Sequence, residues 1–414
     1  MTTRRNLLIL AGGVAAGGAG TAALMGSRTG ESVAKESTAT VPDVLLADSD
    51  RGLVVVGGAR PGLVGTRAVA GPDGAVLYAV TDDRVLVRWD PADGVPTRGA
   101  DLGGGWVPRV VSADGRACAL SRTPASPRPA GRARTLLLVA IDGRLRRYDL
   151  GGVVEPDAFT SDNTGLFVLE WMPATAPDRY RVRLLDLASG AVRPLITRDK
   201  VPVPAGAEEE MRGAGRQAVL APDRQILYTL YTHQPGHRHT RDLIAGRPGG
   251  VHAFVHVLHL TEGWAFCLDL PSPFGEGPAA GHALAVSGDG RRLAVLDAAS
   301  GRLAFADTAT LTLSRIATIG GTVGQRRTAS LAFTPDGRRL LAGTGPTVVV
   351  LDPETGAGIA RWPVPGPVRG LGVSRDSARV YAGGTDEVCW LQVGSGALQG
   401  RVPVAGLMSL RHVR

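Results

Sequence analysis

Seven times between residues 70 and 383 a short apolar strand runs into an aspartate, a turn residue and a second apolar strand. The copies are "AGPDGAVLYAV" at 70–80, "VSADGRACAL" at 111–120, "FTSDNTGLFVL" at 159–169, "LAPDRQILYTL" at 220–230, "VSGDGRRLAVL" at 286–296, "FTPDGRRLLAG" at 333–343 and "VSRDSARVYAG" at 373–383. Their anchors are Asp73, Asp114, Asp162, Asp223, Asp289, Asp336 and Asp376. Asp followed by Gly or Asn supplies the left-handed backbone that a tight hairpin needs. A second turn follows most copies: "RWDPADG" at 88–94, "RRYDLGG" at 146–152, "LLDLASG" at 184–190, "AFADTATL" at 304–311 and "VLDPETG" at 350–356. Each unit therefore reads as four strands, a to d, with the first turn joining a to b and the second joining c to d. One such unit cannot bury both of its faces, whereas radial stacking buries them and leaves only short edges. Copies spaced 40–66 residues apart predict an all-β chain folded as a β-propeller.

These turns resemble the PD-type and YVTN-type repeats of bacterial propellers, relatives of the WD-repeat and TolB-like propellers, over residues 43–414. As a whole the chain is similar to exported actinobacterial propeller proteins. That resemblance implies the fold; propellers of this kind scaffold, bind ligands or hydrolyse lactones, so it selects no activity. Seven turns predict seven blades. The strands at 44–58 and 405–413 then close the ring within a shared blade, or pair into an eighth.

Before the propeller, "TTRRNLLIL" sets Arg4 and Arg5 against a Gly- and Ala-rich apolar run ending at Met25. Residues 1–25 resemble a twin-arginine export signal, cleaved or kept as a single membrane anchor. The polar stretch 26–42 reads as a linker, and 43–414 as the propeller domain. An extracytoplasmic monomer, secreted or tethered through its N-terminus, is the expectation. The net charge of +8 does not indicate nucleic acid. Lys35 and Lys200 are the only lysines, and the arginines are scattered among Asp and Glu instead of forming a stripe with aromatics. Cys118, Cys267 and Cys389 stand far apart in apolar runs, an odd count that suits small buried hydrophobes better than a disulfide or metal knuckle.

Strand order places the b–c and d–a connections at one end of the propeller. Most are short, but four are long and lie in neighbouring blades: 121–135, 170–181, 197–216 and 231–252. Long loops gathered on one face, over blades 2 to 4, point to a binding surface. The fourth holds the sharpest chemistry. His237 and His239 alternate along an extended segment and could chelate zinc, copper or nickel, with Asp242 or a glutamate from 208–210 completing the set. His252 and His256 share one strand face and His259 takes the other, so the histidines cannot all converge. The run Glu208-Glu209-Glu210 reads as solvated charge on a short helix, or as paired carboxylates for acid–base work.

Candidate ligand contacts are Glu170, Trp171, Arg198, Asp199, Glu208, Glu209, Arg212 and His233; candidate metal ligands are His237, His239 and Asp242. No serine elbow, phosphate loop or dinucleotide fingerprint is present. The functional expectation is a binding or scaffolding module of the cell envelope. The alternatives are a metal-assisted hydrolase of lactonase type and a platform for an envelope protein.

Overall fold

The computed structural model describes residues 3–5, 40–213, 215–320 and 328–414. Thr3–Arg5 lies antiparallel beside Gln217–Leu220. The rest of the signal and nearly all of the linker fall outside the described residues. No helix among the described residues is long and apolar enough to cross a membrane.

All seven repeat turns form as the sequence requires. In each, the aspartate Oδ1 accepts the backbone N–H two residues on, from Ala75, Arg116, Thr164, Gln225, Arg291, Arg338 and Ala378. The residue after the aspartate takes positive φ every time, including the non-glycines Asn163, Arg224 and Ser377. Blade 2 departs from expectation at its second turn. "RRYDLGG" does not join c to d but lies within strand d, Arg144–Gly151, paired along its length with strand c, Arg134–Ile141. The true turn is Asp142-Gly143, with φ of 47° and 79°, the doubly left-handed pair whose twist matches that of the flanking strands.

Among the described residues the ring has eight four-stranded blades, not seven. The C-terminal strand, Leu407–Val413, pairs antiparallel with Leu45–Ser49, which continues to Gly52–Val56 and Gly62–Gly65. This closing blade has its strand a at one end of the chain and b, c and d at the other. Its a–b connection is the gap between the termini, so a count of Asp turns misses it by one. The a strands lie against one another around the axis at six of the eight junctions, the junction of blades 3 and 4 and that of the closing blade with blade 1 being looser, and apolar clusters fill each space between blades.

Blade 3 comprises Val153–Phe159, Gly165–Met172, Arg179–Asp186 and Val192–Pro194; blade 4 comprises Gln217–Leu220, Ile226–Tyr231, Ala253–His259 and Trp264–Leu270. Their junction is irregular. After blade 3 the chain crosses outward, and Ile196–Thr197 pairs parallel with Trp264–Ala265 on the outer edge of blade 4. It then returns over the loop face to reach the innermost strand of blade 4. That detour holds the two blades together at the rim and leaves space between them.

Candidate functional site

The four long connections do pack on one another. The N–H of Arg132, in the blade 2 loop, donates to Ala174 O in the blade 3 loop at 2.9 Å. Tyr180 and Met211 exchange two backbone hydrogen bonds, tying blade 3 to the 195–216 link. Gln234, in the blade 4 loop, accepts from the Arg212 N–H and donates to its carbonyl. Close approach enforces the fit: a Cβ on Gly131 would lie 2.1 Å from Thr175 O.

Beneath this cap, between blades 3 and 4, is a cavity of about 570 Å³. Val182, Leu195, Ile196, Met211, Ala265 and Phe266 supply apolar wall. Arg198, Asp199, Glu208 and Arg241 supply charge, and a short helix, Thr240–Ile244, borders the space. One wall carries four ionisable side chains: Glu209, His239, His256 and Cys267.

Several sequence candidates meet here. His237 and His239 come together, with Nε2 of the first 3.2 Å from Nδ1 of the second. Phe254 sets both rings, stacked on His237 at 4.3 Å and edge-on to His239 at 5.2 Å. Glu209 turns inward. Its Oε1 accepts the Thr240 N–H, and its Oε2 lies 3.6 Å from both histidines. Asp242 does not join them; its carboxylate lies on the helix near Arg241. Glu209, the alternative to Asp242, takes the third place, and a fourth partner joins it: Cys267, whose Sγ is 2.9 Å from Glu209 Oε2. His256 is paired with Cys267 on the neighbouring strand, and His259 packs at a tilt against Trp264 on the other face. That separation follows the alternation of the strand.

The acidic run forms no helix, and only Glu210 faces solvent, where it pairs with Arg179. Glu208 is clasped by Arg181 and Arg183, and Glu170 joins the same pair of arginines. Arg198 caps the carbonyls of Ala309 and Thr310 and lies over the Phe266 ring. Trp171 is not a rim contact. It is 2% exposed, packs on Tyr180, and donates its indole N–H to Glu155. Arg212 is exposed, and His233 takes a left-handed turn with Nδ1 against the Thr232 hydroxyl.

Electrostatics around the cluster are steep. Burial opposes charge on His239, but hydrogen bonds to Asp269 and Glu209 outweigh it and lift its pKa to about 9. Burial opposes the Glu209 anion as well; the hydrogen bonds from His237 and His239 outweigh it, and its pKa falls well below the usual range. Burial, reinforced by Glu209, pushes the Cys267 thiol upward. His256 goes the other way, its pKa lowered to about 4 because burial outweighs the pull of Glu209. A histidine held neutral in the fold stabilises it fully above about pH 6.5, and that contribution is lost as pH falls towards 4. His256→Leu should therefore melt less steeply with acid between those limits than the wild type; parallel pH–melting curves would contradict the assignment.

The sequence did not signal a second buried polar group, near the axis. Arg109 pairs with Glu155, and Arg216 with Asp157, all four side chains at least nine-tenths buried. The hydroxyls of Tyr180 and Tyr231 bond each other at 2.9 Å nearby. Glu155 and Asp157 stand two apart in one strand, and their partners come from separate stretches, so no motif marks the group.

No family model matches the sequence, and no curated protein matches it. Solved structures do. Apo AztD from Citrobacter koseri is 12% identical with a TM-score of 0.51, over 90% of this chain and 96% of that one. The dihydro-heme d1 dehydrogenase NirN, in complex with DHE, is 16% identical with a TM-score of 0.50, over 92% and 77%. The periplasmic gluconolactonase PpgL of Pseudomonas aeruginosa is 18% identical with a TM-score of 0.45, over 90% and 99%. This chain is a β-propeller. At these identities the likeness is one of fold.

Proposed function

We propose that this chain is an extracytoplasmic binding module of the cell envelope, acting through its long-loop face, with the cavity between blades 3 and 4 as the seat of its ligand. One observation carries this reading: two of the long connections, 197–216 and 231–252, line one cavity, and the other two pack against them instead of lying apart in solvent. At about 570 Å³ it is the size of a small-molecule site. Its apolar wall suits a ligand with an apolar body, and Arg198, Asp199 and Arg241 are placed to address polar ends. The twin-arginine sequence at Arg4 and Arg5 supports export.

Native mass spectrometry of the full chain, purified from an envelope fraction, should show a bound small molecule. Ile196→Trp, which puts bulk in the cavity, should release that molecule without unfolding the ring. An unloaded wild type, or cargo that survives Ile196→Trp, would remove the cavity as the seat.

A second reading, a metal-assisted hydrolase, draws on one observation: Glu209, His239 and Cys267 face the same cavity a substrate would fill. It requires turnover of a lactone or ester panel, lost in His239→Ala.

A further inference from the structure

We infer that Glu209, His237, His239 and Cys267 form a site for a divalent transition ion of the zinc class at the wall of the cavity. This rests in part on the preceding reading, since the cavity is the ion's route to solvent.

The first argument is the direction of the two imidazoles. His237 Nδ1 faces the backbone carbonyl of Glu210 at 3.3 Å, and His239 Nε2 faces the carboxylate of Asp269. Each far nitrogen therefore donates to an oxygen. The near nitrogens, His237 Nε2 and His239 Nδ1, are left with their lone pairs pointed at one another, 3.2 Å apart. Two facing lone pairs need a cation between them, either a proton or a metal ion. A carbonyl or carboxylate behind each ring is the usual support of a metal-bound histidine, because it fixes the tautomer and the ring angle.

The second argument is distance. Bonds of about 2.0–2.3 Å in a tetrahedral zinc site set the donor atoms roughly 3.3–3.8 Å from one another. Here Glu209 Oε2 stands 3.6 Å from each near nitrogen and 2.9 Å from Cys267 Sγ. The Glu209, His239 and Cys267 donors all lie within 4.8 Å of one another. His237 stands outside that trio, close to Glu209 and His239 but not to Cys267, so either its ring or the Cys267 side chain swings inward to complete a shell of four.

The third argument is charge. With Cys267 as thiolate and Glu209 as carboxylate, a divalent ion makes the ligand set neutral. Nitrogen, sulfur and oxygen in one tetrahedral set select a borderline ion over calcium or magnesium, which take oxygen alone. Binding displaces both the thiol proton and the proton that the facing imidazole nitrogens otherwise share, so uptake is accompanied by release of two protons to solvent. Glu209, His239 and Cys267 line the cavity and His237 lies behind them, so a shell of the three lining donors keeps a fourth position open to the cavity, and His237 closes it when it binds.

The test uses the full chain, purified without chelator or histidine tag, stripped, and titrated with cobalt(II) as a spectroscopic probe for zinc. One equivalent should bind and produce a near-ultraviolet thiolate-to-cobalt charge-transfer band. Cys267→Ser should abolish the band, and His239→Ala should weaken binding by at least about 100-fold. Asp269→Asn should keep the band and weaken binding by about 10- to 100-fold, as loss of an outer partner does. His252→Ala and His259→Ala, outside the cluster, should bind as the wild type does, and circular dichroism should show every variant folded. Failure of folded wild type to bind one equivalent, binding without the thiolate band, or equal losses in His252→Ala would each overturn the site. Ile196→Trp separates this inference from the preceding one: it should expel cavity cargo and leave the cobalt band intact.

Discussion

Removal of residues 405–414 should abolish cooperative unfolding of the ring. That segment carries strand a of the closing blade, where Leu407 and Leu410 are fully buried in one cluster with Leu45 and Ala47, and Leu46 is buried on the opposite face beside His412. Deleting it takes two leucines out of the core and uncovers two more. At about 1.5–3 kcal/mol for each buried leucine, the loss is roughly 6–12 kcal/mol, comparable with the whole stability of a typical domain. The ion pairs Arg411–Asp48 and Arg414–Asp90 go with it, as do the paired hydrogen bonds between Val44 and Arg414. It also leaves Leu45–Ser49 as a bare edge, open to pairing with another chain. Full-length and truncated proteins should be compared by calorimetry and size-exclusion chromatography. A truncated chain that remains monomeric and melts within a few degrees of the full length would show that the ring does not depend on this closure.

Asp157→Ala should be the most damaging single substitution. Asp157, on the innermost strand of blade 3, pairs with Arg216, just before the innermost strand of blade 4, each side chain about nine-tenths buried. Removing the carboxylate leaves the Arg216 guanidinium with its desolvation cost and without its ion-pair partner. Breaking a buried pair in this way costs about 3–5 kcal/mol. The double replacement Asp157→Leu with Arg216→Met should recover much of that loss, since the pair as a whole is worth far less than its halves suggest. Urea unfolding of the wild type, Asp157→Ala and the double variant measures both numbers. A single variant within about 0.5 kcal/mol of the wild type would mean that Arg216 finds another partner or water.

The cap and the cluster answer differently from these core positions. His237, His239, Glu209 and Cys267 reside on the loop side of blade 4 and on its outermost strand, away from the ring closure. Their variants should change ligand affinity more than melting temperature.

Much of this molecule is local in its sequence, and the local part was legible. Each Asp turn is a four- or five-residue event whose side chain bonds its own backbone, so seven hairpins could be read directly, and with them the strand order and the face where long connections gather. The pairing of His237 with His239 was equally local, because residues two apart on extended chain share a side. What could not be read depends on contacts between distant segments. The closing blade joins residues 45–65 to 407–413, and no turn links its a and b strands. In sequence, Asp242 and a glutamate from 208–210 are alternatives for the third ligand, and Glu209 takes that place; Cys267 reads only as a small buried hydrophobe, because it arrives from an outer strand far along the chain. Trp171 and the Asp157–Arg216 pair were hidden for the same reason: a strand reveals which residues share a face, but not which blade will cover it. Sequence alone determined the repeating hairpins and the crowded face, since both follow from short-range hydrogen bonding and chain direction. Only the tertiary structure decided the eighth blade, the cavity and the members of the buried cluster, since each needs the ring closed before its parts can meet.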